Sequence, residues 1–109
     1  MATSEQIKDI FGTMVERFDP EKVAGIDAAI QFDLSGDGGG MYWLRIAPSG
    51  VQTGEGSVES PKMTLKASAD DFATMIGGGL NPMQAFMTGK IKIQGDTGLA
   101  LKLMPMING

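Results

Sequence analysis

The sequence predicts an α+β domain in which helices cover a sheet of five strands. Three observations carry that expectation. Apolar residues recur at helical spacing from Ile7 to Phe18, then at alternate positions from Ala28 to Ala67 and from Lys90 to Gln94. Helical spacing returns from Thr97 onward. Glycine, proline and capping residues punctuate each change of period. No repeat, linker or low-complexity tract divides the 109 residues, so a single domain over 1–109 is expected.

The first element is an amphipathic helix. Ile7, Ile10, Phe11, Met14, Val15 and Phe18 cover an apolar arc of about 140° at 100° per residue, with Asp9, Thr13 and Glu16 opposite. Asp19-Pro20 should end it, because a residue before proline is pushed out of the helical region. From Ala28 the period becomes two: Ala28, Ile30, Phe32 and Leu34 alternate with Ala29, Gln31 and Asp33, which reads as a half-buried strand. The glycine run 36–40 turns the chain into a returning strand, Met41 to Ala47. Pro48-Ser49-Gly50 turns it again into a weak strand, Val51 to Glu55. After Ser60-Pro61, Met63, Leu65 and Ala67 form a fourth. Four consecutive strands are most simply an antiparallel meander.

Two short helices follow. Ser68 can cap the first, with Asp70 and Asp71 near its positive end. Phe72, Met75 and Ile76 form its apolar face, and Gly77-Gly78-Gly79 stops it. Asn81 caps the second, Pro82 takes its first position, Gln84 completes the spacing of a capping box, and Gly89 ends it. Met83, Phe86 and Met87 are expected to be its buried face. Lys90-Ile91-Lys92-Ile93-Gln94 is the fifth strand, with the isoleucines inward and the lysines outward. Asp96 should cap the last helix, Thr97 to Met104, with Pro105 at its end.

Composition removes several classes of function. Without His or Cys the chain can build neither a Ser-His or Cys-His nucleophile nor an ordinary zinc site, so no metal or cofactor is expected. A net charge of −4 argues against nucleic acid, which needs a basic face. The start, Met1-Ala2-Thr3-Ser4-Glu5, lacks the basic and apolar regions of a signal peptide, and without cysteine there is no disulfide framework. A cytoplasmic location is the expectation. Nine Met supply soft side chains able to repack around differing apolar shapes.

The last helix carries the functional argument. Leu99, Ala100, Leu101, Leu103 and Met104 span an arc of about 200°, whereas a helix lying on one core needs roughly 100°. Leu101 and Met104 therefore have apolar surface left over. It can face a dimer partner, be buried in the fold, or lid an apolar ligand.

The stretch Leu80-Asn81-Pro82-Met83-Gln84-Ala85-Phe86-Met87-Thr88-Gly89-Lys90-Ile91-Lys92-Ile93-Gln94-Gly95-Asp96-Thr97-Gly98-Leu99-Ala100-Leu101-Lys102-Leu103 resembles the signature of the sterol carrier protein 2 family (non-specific lipid-transfer proteins). Upstream, Ala69-Asp70-Asp71-Phe72 with Met75 and Ile76 is similar to that family's acidic-aromatic helix start. The likeness covers nearly the whole chain, from the first helix and the Trp43 strand to the last helix.

The resemblance implies an α/β (α+β) fold: a five-stranded mixed sheet covered by about four to five helices, with an apolar tunnel between them. It implies non-enzymatic binding and transfer of fatty acids, fatty acyl-CoA, sterols or phospholipids. By position, Phe72, Met75, Ile76, Leu80, Met83, Phe86, Met87, Leu99, Leu101, Leu103 and Met104 would line or lid the tunnel. The expected partners are a long-chain lipid and, transiently, a membrane surface, with the protein a monomer or weak dimer. Two departures stand out. Many relatives carry a polar amide where Thr88 stands. The Asn108-Gly109 ending lacks the Ser-Lys-Leu signal for peroxisomes, which points to a prokaryotic cytoplasmic version or a domain cut from a larger protein.

Other motifs are set aside. Asp33-Leu34-Ser35-Gly36-Asp37-Gly38 imitates half a calcium loop, but position twelve would be Leu44 rather than a bidentate Glu. Neither the glycine run 36–40 nor Gly54-Glu55-Gly56 has the strand-to-helix context of a dinucleotide site. Gly77-Gly78-Gly79 is a helix stop or a hinge. Trp43 packs on the sheet, in the tunnel or at a membrane-facing rim. The rival to lipid binding is a protein-interaction or substrate-presenting module that packs its C-terminal helix on a partner.

Overall fold

The computed structural model describes residues 3–18, 21, 23 and 25–107, with side chains described up to residue 103. Helix α1 (Ser4–Arg17) starts three residues before its apolar stripe because Thr3 builds a capping box. Its hydroxyl accepts from the Gln6 N–H at 3.2 Å, and the Gln6 side chain accepts from the Thr3 N–H at 3.4 Å. Phe18 leaves the helical region as the C-cap. The Asp19-Pro20 stop lies outside the described residues.

Strands β1 (Ala28–Ser35), β2 (Gly40–Ala47), β3 (Gly50–Glu55), β4 (Met63–Ser68) and β5 (Ile91–Gly95) form one sheet in the order β3-β2-β1-β4-β5. This is a mixed sheet and not the simple meander. β2 and β3 form antiparallel hairpins, but β4 lies parallel to β1 on its free side, and β5 closes antiparallel to β4. The physical reason lies at Gln31. Its side chain points away from the helices, where its Nε2 donates to the Tyr42 and Gly56 carbonyls at 2.9 and 3.0 Å. Its Oε1 accepts from the Val58 N–H at 2.8 Å. A buried amide with these bonds satisfied ties the segment after β3 across the back of β1 and delivers β4 to its far side. Ala29 and Gln31 are consequently buried, and β1 is covered on both faces rather than half-buried.

The helices pack on the face that carries Ile30, Phe32, Tyr42, Leu44, Ile46, Met63, Leu65 and Ile91, forming one continuous core. Phe11 of α1 is its hub. The ring stacks on Tyr42 and Phe72 with centroids at 4.9 and 5.4 Å, and meets Phe32 edge-on at 5.0 Å. α2 (Ala69–Ile76) follows β4 directly, its N-cap Ser68 accepting from the Asp71 N–H. It buries Phe72, Met75 and Ile76 as its sequence pattern requires.

α3 (Pro82–Met87) is capped by Asn81, which accepts from the Met83 and Gln84 N–H groups. Its orientation overturns the expected one. Pro82 and Ala85 face the core, and Met83, Phe86 and Met87 are exposed. The cause is the tight exit into β5. The Gly89 N–H donates to the Phe86 carbonyl and the Lys90 N–H to the Ala85 carbonyl, a paired helix-stop motif with Gly89 at φ 81°. This exit holds the short helix with its small residues against the sheet.

α4 (Thr97–Ile107) is capped by Asp96, whose Oδ1 accepts from the Leu99 N–H at 3.0 Å. It runs past Pro105 instead of stopping before it. Proline's fixed φ is compatible with a helix, and its missing N–H removes only the bond to the Leu101 carbonyl.

Candidate functional site

The eleven apolar residues expected to surround a ligand fall into three groups. Phe72, Met75 and Ile76 on α2, with Leu99 and Leu103 on α4, are sealed in the core between helices and sheet. Leu80, in the connection between α2 and α3, is half-buried against that core. Met83, Phe86 and Met87 on α3 and Leu101 on α4 are exposed by 44%, 40%, 78% and 54%. The Met104 side chain lies outside the described residues.

The wheel of α4 thus divides as its 200° arc requires. Leu99, Ala100 and Leu103 reach the core and Leu101 does not. The α2–α3 connection contains the three glycines. Gly77 caps α2 in an ordinary helical conformation, and Gly78 takes φ 86°, which terminates the helix.

Among the described residues, two clefts of ligand size lie beside this core. One, about 350 Å³, lies where α1 ends against the β2–β3 turn, lined by Val15, Phe18, Val23, Ile26, Ala47, Pro48 and Val51. Its lining escaped the sequence reading. The signal was present in Val15 and Phe18, which close the apolar arc of α1, but their partners come from irregular segments with no period to read. The other, about 380 Å³, carries Asp27, Lys62, Asp96 and Lys102 together with Leu99. Among the described residues, Leu99 is the one expected site residue that touches either cleft.

The chemistry available here is that of packing. Among the described residues no group of three or more acids could hold a metal ion, and no helix is long and apolar enough to cross a membrane. Asp70 and Asp71 occupy the first turn of α2, where carboxylates favour the helix end. Trp43 is half-buried on the sheet face away from the helices, lying over its cross-strand neighbour Gly54. A side chain at Gly54 would stand 2.5 Å from the indole ring, so the glycine makes room for the tryptophan. Trp43 therefore packs on the back of the sheet, outside the helix–sheet layer.

A family model described as the SCP-2 sterol transfer family matches residues 9–108. The chain belongs to that family. Solved relatives share the fold. The sterol carrier protein domain 2 of Helicoverpa armigera is 27% identical, with a TM-score of 0.73 covering 90% of this chain and 84% of that one. The palmitated SCP2L2 of Aedes aegypti is 23% identical, with a TM-score of 0.76 over 94% and 95% of the two chains. Among curated proteins, the Hydroxysteroid dehydrogenase-like protein 2 of Bos taurus is 34% identical over 108 residues, 98% of this chain. The chain spans about a quarter of that relative, 26% of its length.

Proposed function

We propose that this member of the SCP-2 family is a non-enzymatic carrier. It holds one long apolar lipid, a fatty acid, fatty acyl-CoA, sterol or phospholipid, between the sheet and its covering helices, with α4 as the lid. The supporting observation is the position of the apolar surplus. On α2, α3 and α4, five large side chains are sealed in the core while four more stand 40% to 78% exposed. Large apolar side chains left exposed on two helices of one fold call for a partner.

In this reading Phe72, Met75, Ile76, Leu99 and Leu103 are walls that part around the cargo. Leu80, Met83, Phe86, Met87, Leu101 and Met104 form its mouth, and the glycines 77–79 absorb the motion. An open cavity of about 300 Å³ would cost roughly 7 kcal/mol at about 24 cal/mol per Å³. That is a large share of the roughly 5–15 kcal/mol that holds a domain folded. Burying about 15 methylenes of cargo returns about 12 kcal/mol, against association costs of about 4–15 kcal/mol. Chain length rather than head-group chemistry then sets affinity.

The palmitated state of the mosquito relative is consistent with such a cargo. The test is mass spectrometry of an organic-solvent extract of the purified protein, followed by thermal melts with long-chain fatty acid. Co-purified lipid and a raised Tm are expected. Absence of co-purified lipid together with no binding at roughly tens of micromolar would overturn the reading.

One observation favours a second reading, the match to about a quarter of a dehydrogenase-like protein. In that case the domain is an interaction module: α4 packs on a partner domain or a second copy, and no cargo enters. A mass that rises with concentration, with no lipid effect on stability, selects it.

A further inference from the structure

We propose that a groove on the back of the sheet is a binding site for a small soluble diphosphate. The groove, about 330 Å³, is bordered by Asp33, Ser35, Lys66, Ser68, Lys90 and Lys92. It sits at the carboxyl ends of β1 and β4, the parallel pair of the sheet, where the register closes on Ser35 opposite Ser68. Open sheets take small ligands in crevices at the carboxyl ends of parallel strands, in sites of about 300 Å³ and upward.

The charges in this groove break a rule of sheet stability. Lys66 and Lys92 stand directly opposite each other on antiparallel β4 and β5. Their Cβ atoms are then about 5 Å apart, a spacing at which like charges destabilise a sheet. Lys90 borders the same groove two residues before Lys92, about 7 Å along the chain. Asp33 is in register with Lys66 on the other side. Even so, none of the three lysines has a carboxylate within 4 Å among the described residues, whose ion pairs are Lys8–Glu55 and Arg45–Asp27. Three lysines against one aspartate leave the groove two positive charges in excess, in a chain of net charge −4. A like-charge pair kept in an otherwise consistent sheet marks a functional position.

One phosphate between Lys66 and Lys92 turns their repulsion into two charge-assisted contacts, and a second, linked phosphate meets Lys90. The Ser68 hydroxyl accepts from the Asp71 N–H at 3.0 Å, which leaves its own hydrogen to donate to the anion. Charges elsewhere on the molecule are screened beyond a Debye length of about 10 Å, so the net negative charge does not cancel this local attraction. Lys66 and Lys92 point away from the helix-covered layer that holds Leu65, so the site is separate from the cargo layer and stands without the carrier reading.

The experiment is an amide NMR titration of the full chain with inorganic pyrophosphate at constant ionic strength, with sulfate as the comparison. Saturable shifts are expected at Ser35, Lys66, Ser68, Lys90 and Lys92, with a Kd of about 1 mM or tighter and sulfate at least about tenfold weaker. Lys66→Met with Lys92→Met should weaken pyrophosphate by about tenfold or more. Lys62→Met with Lys102→Met, an equal loss of charge at the cleft beside α4, should bind within about twofold of wild type. Lys92→Glu makes the opposed pair attractive, so it should abolish binding yet raise the ligand-free Tm by about 2–5 °C. No saturable shift below about 10 mM, or wild-type affinity in the Lys66 and Lys92 double variant, overturns the proposal. Equal shifts with sulfate mean an adventitious ion only and overturn it too, as does a Lys92→Glu protein that melts no higher than wild type.

Discussion

Leu101 and Leu103 lie two residues apart on α4 and should answer opposite questions. Leu101 is 54% exposed and Leu103 only 1%. A fully buried leucine contributes roughly 2.5 kcal/mol, so about half of that, near 1 kcal/mol, is what Leu101 lends the fold. Leu101→Asp should therefore lower stability by about 1 kcal/mol, a shift of about 1 M in a urea midpoint for a chain of this size. Leu103→Ala opens a core cavity and should cost about 2–5 kcal/mol. Cargo binding should reverse the order. The remaining half of Leu101, if it covers a lipid, is worth about five- to tenfold in affinity, and an ionised carboxylate at the mouth adds to the loss. Urea melts with a parallel titration of long-chain fatty acid read both quantities on the same protein. Wild-type cargo affinity in Leu101→Asp, or a fold as damaged as in Leu103→Ala, refutes the assignment of α4 as a lid.

Gln31→Leu should cost about 3–6 kcal/mol in urea, because the Tyr42 and Gly56 carbonyls and the Val58 N–H all lose their buried partner; a loss under about 1 kcal/mol would show that water replaces the amide. Gly54→Ala forces the Trp43 indole aside, with an expected cost of about 1–3 kcal/mol and a shifted tryptophan emission maximum, while cargo itself should leave that emission nearly unchanged. Hydrogen bonding to Glu55 at 3.2 Å, then its charge, raises the Lys8 pKa above the usual 10.5. With the folded value the higher one, this contribution is complete below pH 10.5 and fades above it; wild type should therefore lose slightly more stability than Lys8→Met as pH rises past that point, in chemical melts.

Much of this molecule is written in local order. The period of α1, the alternation of the five strands, and the caps at Ser68, Asn81 and Asp96 are short-range signals, and each element formed where they placed it. The surplus on α4 was legible too, since Leu101 is exposed where the wheel left it over. Family resemblance in the stretch from Leu80 to Leu103 matched the SCP-2 model over residues 9–108.

What the chain could not announce is how distant pieces meet. The parallel placement of β4 depends on the Gln31 amide reaching Gly56 and Val58, a long-range contact that alternation reads merely as a polar position. The outward turn of α3 depends on backbone bonds from Gly89 and Lys90, which put small Ala85 against the core and leave Met87 outside. Hydrophobicity determines that a side chain seeks cover. Which side chains find it is decided by the geometry of closely packed backbones, and that exists only once the sheet and helices are assembled.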